Sequence, residues 1–247
     1  MKMSGLLKAL SLALVPAALS LVTISCGSSS TTTGQAAIRV INAIPDGPAL
    51  DIDLAGSAIV TNLPFGTIQP TASPASYVTV PAGKVVIQGF ATGTTNPVPP
   101  TGTIDLKNAV EYTAVAVGLV QNDSAPLLVA DNNLAPMGTN VEYRVINASN
   151  SSPLGGLDMY IVPPGSNITN FTPQFSGIGN NQASTYQTVS FLQGGYTVIV
   201  TANGSKTPII TQSSAPNPAS ITTWVILDNP GGNNGISTTP LVLNDLN

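Results

Sequence analysis

The chain has 247 residues, of which 43% are apolar and only 7% are Asp, Glu, Lys or Arg, against roughly 25% in an average soluble domain. The formal net charge of −4 and the wide spacing of the few basic residues exclude the basic surface that a nucleic-acid partner requires. The lack of histidine excludes Ser-His-Asp and Cys-His catalysis and imidazole metal sites, and we expect no cofactor.

Residues 1–25 are typical of a bacterial signal peptide. A basic start with Lys2 and Lys8 precedes an apolar run of about 14 residues, which is too short for a hydrocarbon core that needs ~20. A small residue, then Cys26 and a Ser/Thr run, resembles the lipobox of lipoproteins, although Thr23 stands where Leu is usual. We predict acylation of Cys26 and a lipid-anchored location in the cell envelope, on the periplasmic or surface side. The alternative is a signal cut elsewhere, with Cys26 incidental.

Residues 26–36 are predicted to be the acylated cysteine and a flexible linker, because a Ser/Thr run has nothing to bury. From Ala37 onward, short apolar runs bounded by Gly, Pro, Asn and Asp predict an all-β sandwich or barrel. The Pro-rich run Asn96–Pro100 is predicted to separate two strands, since proline is excluded from central strands. Predicted strands span 37–43, 50–54, 58–63, 76–80, 85–91, 102–106, 112–119 and 127–130, then 141–148, 157–162, 185–192, 196–201, 207–211, 221–227 and 239–244.

The chain contains an internal duplication. Arg39–Ala43 reads Arg-Val-Ile-Asn-Ala and returns as Arg144–Ala148, and the run Pro126–Asp131 is answered by Pro240–Asp245. Each copy of about 100 residues is long enough to bury a sandwich core without disulfides. We therefore predict two tandem immunoglobulin-like β-sandwich domains at 37–136 and 141–247, joined by a short seam.

The order of motifs in the first copy is similar to that of a known bacterial family. Arg39–Ala43 is followed by the turn Pro45–Pro48, by Leu63–Thr67 and by Val80–Gly83. This order resembles the family catalogued as domain of unknown function 4397, and the second copy matches more loosely. The resemblance implies an exported protein, often a lipoprotein, with immunoglobulin-like β-sandwiches in tandem and no established catalytic residue.

Three carboxylates, Asp46, Asp51 and Asp53, are the candidates for chemistry in the first copy. Asp51 and Asp53 share one face of a strand, so they are candidates for a glycosidase pair. The same oxygens are candidate Ca²⁺ ligands, as are those of Asp131–Asn133 and Asp228–Asn234. The simpler interpretation, which we favour, is a solvent-facing strand and Asp-containing turns, with no metal and no catalytic residue.

Two further sets of residues have a structural and a functional interpretation. Arg39 and Arg144 recur inside equivalent strands, and we predict that they pair with Asp51 and Asp158; the alternative is a clamp for an anionic ligand. The aromatic residues are predicted to be core or cross-strand pairs, with a sugar-stacking platform as the alternative. Trp224 is predicted to lie in a core strand.

These observations predict a non-enzymatic cell-envelope lipoprotein that acts as a structural or binding module. Its expected partners are the membrane, through the lipid, and an envelope polysaccharide or protein. One alternative is a polysaccharide-binding surface lipoprotein, which would lose glycan binding when exposed aromatic residues are replaced. Another is a carboxylate-dependent glycoside hydrolase, which would lose turnover on Asp51→Asn or Asp53→Asn.

Overall fold

A computed structural model describes residues 34–71, 76–122, 124–232 and 235–246. The predicted signal peptide, Cys26 and most of the predicted linker lie outside these residues. The described chain is strand and turn apart from one short 3-10 helix at Ile168–Asn170. Among the described residues, no helix has the length and apolar character needed to cross a membrane.

The first repeat is built from nine strands in two sheets. An outer sheet has the order β3-β2-β6-β7, and an inner sheet has the order β4-β1-β8-β9 with β5 also pairing with β1. The strands are β1 (Gln35–Asn42), β2 (Leu50–Leu54), β3 (Ser57–Leu63), β4 (Ile68–Gln69), β5 (Val78–Pro81), β6 (Gly83–Ala91), β7 (Pro97–Leu106), β8 (Glu111–Ala116) and β9 (Leu127–Ala130).

The second repeat has the same topology. Its outer sheet has the order β12-β11-β15-β16, and its inner sheet has the order β13-β10-β17-β18 with β14 also pairing with β10. The strands are β10 (Val141–Asn147), β11 (Leu157–Val162), β12 (Phe175–Ile178), β13 (Gln182–Ala183), β14 (Gln187–Val189), β15 (Tyr196–Ala202), β16 (Pro208–Ser214), β17 (Ile221–Ile226) and β18 (Leu241–Asn244). The predicted all-β fold of two tandem sandwiches is confirmed.

The central pair of each inner sheet is parallel. Strand β1 runs parallel to β8 and pairs Arg39 with Thr113, while β10 runs parallel to β17 and pairs Arg144 with Thr223. The duplicated sequence therefore sits in the same place of the same sheet in both repeats. This equivalence brings both arginines onto corresponding faces.

The strands of the outer and inner sheets differ in how they are buried. In β2, Leu50, Ile52 and Leu54 are buried while Asp51 and Asp53 are half-buried, which confirms the predicted alternation. Strands β1, β8, β10 and β17 are instead buried on both faces over most of their length. The inner sheets must therefore pack against something on each side.

A third apolar layer accounts for the second buried face. Each repeat has its own core between its two sheets. A separate cluster joins Ile41 and Val115 of the first repeat with Ile146, Val225 and Leu243 of the second. Residues 33–247 form one compact unit as a result. The two sandwiches share a core through their inner sheets, in addition to the seam along the chain.

The strand prediction omits β4, β12 and β13, and it is wrong at one Pro-rich run. The run Asn96–Pro100 was expected to separate strands, but Pro97, Pro99 and Pro100 lie inside β7. Strand β7 is at the edge of its sheet and pairs only with β6, so its prolines have no second neighbour that needs their missing N–H. Edge position explains why the strand continues through them.

Candidate functional site

Four buried charged residues from both repeats meet at the layer between the inner sheets. Arg39 Nη2 lies 2.5 Å from Asp245 Oδ1, and Arg144 Nη2 lies 2.7 Å from Asp131 Oδ1. Longer contacts of 3.4 Å join Arg39 Nε to Asp131 and Arg144 Nη2 to Asp245. Each short ion pair crosses from one repeat to the other. We call these four residues the inter-repeat charge cluster.

The predicted partners of the two arginines are therefore wrong. Asp51 and Asp158 lie in the outer sheets, whereas Arg39 and Arg144 lie in the inner sheets and point toward the other repeat. Asp51 accepts hydrogen bonds from the backbone N–H groups of Asn62 and Gly93 and from a threonine hydroxyl. Asp158 likewise accepts hydrogen bonds from the Ser176 hydroxyl and from the backbone N–H groups of Gly177 and Gly204. Both aspartates therefore hold neighbouring segments of their own repeat in place.

In each half of the charge cluster, one threonine connects the arginine to an aspartate. Thr113 Oγ1 accepts from Arg39 Nε at 2.8 Å and donates to Asp131 Oδ2 at 2.7 Å. Thr223 Oγ1 accepts from Arg144 Nε at 2.9 Å and donates to Asp245 Oδ2. The parallel pairing of β1 with β8, and of β10 with β17, places each threonine beside its arginine.

Two tyrosines complete the cluster in equivalent positions. Tyr77 Oη donates to Asp131 Oδ2 at 2.8 Å, and Tyr186 Oη donates to Asp245 Oδ2 at 2.7 Å. Each ring also lies against a guanidinium, with Arg39 Cζ 5.1 Å from the centre of Tyr77 and Arg144 Cζ 4.5 Å from that of Tyr186. These distances are in the range of cation–π attraction.

Electrostatics favour the charged form of Arg39. Burial alone would lower the pKa of Arg39, but the carboxylates of Asp131 and Asp245 outweigh it, and the pKa of Arg39 is raised. Burial, together with the nearby carboxylates, raises the pKa of Tyr77 and of Tyr186, so both stay neutral hydrogen-bond donors. The two positive and two negative charges balance, and the short ion pairs join one repeat to the other. The role of this site is therefore to attach the two repeats to each other.

Two of the carboxylates proposed for catalysis or calcium, Asp46 and Asp51, have structural partners. Asp46 accepts from the backbone N–H of Val120 at 3.0 Å and fixes a turn. The backbone N–H groups of Asn62 and Gly93 hold the pKa of Asp51 below its usual value. A glycosidase proton donor needs the opposite shift. The geometry of Asp51 therefore favours a turn-stabilising role over that of an acid catalyst.

The calcium candidates in the two Asn-rich segments are engaged by protein groups as well. Asp131 belongs to the charge cluster, and Asp228 accepts from the Ser149 hydroxyl and from the backbone N–H groups of Asn150 and Ser151. Among the described residues, no group of three or more Cys, Asp or Glu side chains lies close enough to hold a metal ion.

Asp51 predicts a measurable acid dependence of stability. A carboxyl whose pKa is lower in the folded chain stabilises the fold above its unfolded pKa of ~3.9 and loses that contribution as the pH falls through the folded value. We expect Asp51→Asn to lower the melting temperature at neutral pH, with the gap to wild type closing toward about pH 2. Thermal unfolding followed by circular dichroism over that pH series measures it.

Asp53→Asn is the matched control, because Asp53 lies two residues further along the same half-buried face of β2. It should change the melting temperature little at neutral pH, as most surface substitutions do. A gap between Asp51→Asn and wild type that stays constant from neutral to acidic pH would contradict the assigned role.

Two cavities adjoin these elements. The larger, about 560 Å³, is bordered by the start of β1 and by Thr79, Glu111 and Asn133. A smaller groove of about 250 Å³ lies in the second repeat, and its wall includes Trp224. Trp224 is 1% exposed within β17, which confirms the prediction of a core strand. Sequence reasoning missed the groove, because it is formed where strands of two different sheets meet.

Comparison with known proteins places the chain in a family. A family model described as domain of unknown function (DUF4397) matches residues 36–160, which include the whole first repeat and the start of the second. A search of curated proteins finds no match. Among solved structures, the chain is similar to the crystal structure of CBMbc (family CBM26) from Eubacterium rectale Amy13K in complex with maltoheptaose. That similarity has 13% identity, covers 84% of this chain and 95% of the other, and has a TM-score of 0.27. The family match extends over half of the sequence, and the chain therefore belongs to the family described as domain of unknown function (DUF4397).

Proposed function

We propose that this protein is a non-enzymatic lipoprotein of the bacterial cell envelope, anchored through Cys26 and serving outside the cytoplasm as a structural or binding module. Anchoring rests on the sequence around Cys26. A signal peptide followed by an acylated cysteine delivers a chain across the membrane and keeps it attached there.

The use of the buried charges supports the non-enzymatic part of the proposal. The buried charges of the inter-repeat charge cluster form ion pairs with one another. Asp158 and Asp228 accept hydrogen bonds from backbone and hydroxyl groups of nearby segments. Catalytic acids and bases are instead presented to a substrate in a cleft with pKa values matched to proton transfer. In the described part of the chain these buried charges serve the architecture.

Replacing Cys26 by Ser tests the anchor. We expect the variant to leave the membrane fraction and to lack the mass of the acyl chains, because serine supplies no thiol for diacylation. Cell fractionation, detergent phase partition and intact-mass spectrometry measure the change. Ser29→Ala, in the run that follows the cysteine, is the matched control and should remain acylated. Retention of the Cys26→Ser variant in the membrane fraction would refute the lipid anchor.

A second candidate function, polysaccharide binding, is favoured by one observation. The groove beside Trp224 is walled by amide and hydroxyl side chains, including Gln212 and Thr222. Such groups donate and accept hydrogen bonds without charge, which suits the hydroxyls of a neutral glycan. A binding module of the envelope would use such a groove.

A further inference from the structure

The groove lies at an open edge of the second sandwich. It is bordered by Gln212 and Ser214 of β16, by Thr222 and Trp224 of β17, and by Val242 of β18. Strands β16 and β18 are edge strands of the outer and inner sheets, so the groove opens where the two sheets separate. Its volume of about 250 Å³ is below the ~300–1,000 Å³ of sites for drug-sized ligands.

Trp224, which borders this groove, carries a buried hydrogen-bond donor that has no acceptor. The side chain is 1% exposed, and its Nε1 has no hydrogen-bond partner among the described residues. The indole N–H is a donor only, and burying it unpaired is costly. Tyr143 Oη, by contrast, is paired with Ser214 Oγ at 3.2 Å. Trp224 therefore holds an unsatisfied donor beside the groove.

The inward face of β16 changes from apolar to polar at the groove. Ile210, Gln212 and Ser214 lie on one face, because they pair with the core residues Val200, Val198 and Tyr196 of β15. Inward positions of a β-sandwich are normally apolar, as Ile210 is. Polar residues at the next two inward positions leave the core incomplete toward this edge and give it hydrogen-bonding groups instead.

The first repeat provides an internal comparison for the tryptophan. Thr113 and Thr223 hold equivalent places in the charge cluster, so the residues that follow them, Ala114 and Trp224, are equivalent in the two sandwiches. Ala114 is buried in the apolar core of the first repeat. The large donor-bearing side chain is thus a feature of the second copy.

The same comparison applies to the strand opposite. The aspartates of β2 and β11 are equivalent, so the residues that pair with them in β6 and β15 are equivalent as well. Counting from these residues along each strand makes Val85 equivalent to Tyr196. Val85 pairs with Ile104, which is buried in the first core, whereas Tyr196 pairs with Ser214. An apolar contact of the first repeat therefore corresponds to a polar one in the second, where the groove lies.

We propose that this groove binds one ring of a neutral sugar, with Gln212 and Thr222 contacting its hydroxyls beside the indole of Trp224. None of the described residues that line the groove is charged, which matches a neutral ligand and disfavours anions and cations. The proposal rests on the proposed role as an envelope binding module and assigns that module a site and a ligand class.

The single tryptophan of the chain makes the test direct. The full chain, solubilised in a detergent without a sugar headgroup, is titrated with glucose, galactose and N-acetylglucosamine. We expect a saturable change in tryptophan fluorescence and a shift of the one indole N–H signal in the ¹H–¹⁵N spectrum with at least one of these sugars. Because Trp224 borders the groove, the indole signal reports on occupancy of the groove.

Variants on β16 separate the groove from the rest of the protein. Gln212→Leu removes a polar wall residue and should weaken binding by about tenfold, the effect of losing one hydrogen bond. Thr211→Ala, on the exposed face of the same strand, should bind as wild type does. Melting temperatures and circular dichroism of both variants verify that they are folded.

Two results would overturn the proposal: an indole signal that does not move with any of the three sugars, or binding by Gln212→Leu equal to that of wild type. An indole N–H occupied only by an ordered water would appear as the first of these. Neither result bears on the lipid anchor, which the Cys26→Ser experiment decides separately.

Discussion

Replacing Asp245 by Asn should lower the free energy of unfolding by about 3–5 kcal/mol, the cost of breaking a buried ion pair by removing one partner. The side chain of Asp245 is fully buried and contacts both Arg39 and Arg144. Asparagine keeps the shape but leaves two guanidinium groups with one carboxylate, Asp131, so the cluster carries an unbalanced positive charge. Desolvated charge without a partner is among the largest single-residue penalties.

Denaturant unfolding followed by circular dichroism and by Trp224 fluorescence measures the loss. Asp105→Asn is the control, because Asp105 forms an exposed ion pair with Lys107. Exposed pairs contribute little, so this variant should unfold at nearly the wild-type midpoint. Adding Arg39→Met to Asp245→Asn restores the charge balance and should recover part of the stability. An Asp245→Asn protein as stable as wild type would show that the cluster does not hold the repeats together.

Replacing Ile41 by Ala should cost about 2–5 kcal/mol and should destabilise the second repeat as well as the first. Ile41 belongs to the first repeat but is buried in the apolar layer shared with Ile146 and Val225. Removing its side chain leaves a cavity between the repeats. Because both inner sheets depend on this layer to cover a face, we expect both repeats to unfold in one transition.

Trp224 makes the coupling visible, since it reports on the second repeat alone. The denaturation midpoint seen by its fluorescence should fall in Ile41→Ala together with the midpoint seen by circular dichroism. Ile38→Ala extends the test, because Ile38 lies in the same strand but packs in the first repeat's own core. In a single transition its loss should also lower both midpoints together. A fluorescence midpoint that does not respond to Ile41→Ala would mean that the two sandwiches fold independently.

The coupling gives the module a single rigid body. Four sheets joined by a shared apolar layer and by ion pairs that cross between repeats leave little freedom at the seam.

Local patterns in the sequence by themselves determined most of the strands and the duplication. The alternation in β2, with Ile52 inward and Asp51 and Asp53 outward, follows from the two-residue period of a strand and needs no distant partner. The recurrence of Arg39–Ala43 at Arg144–Ala148 likewise established that one unit is written twice. Each signal is read from runs of only a few neighbouring residues.

Only the tertiary structure decided which charges meet and which faces are covered. Arg39 pairs with Asp245, 206 positions away, and not with the nearer Asp51, because the inner sheets of the two repeats face each other. The repeated aspartate at the end of each copy, Asp131 and Asp245, was visible in the sequence, but its partner depends on how two sandwiches pack. Packing between distant surfaces is set by the sum of many contacts, and no local period encodes it.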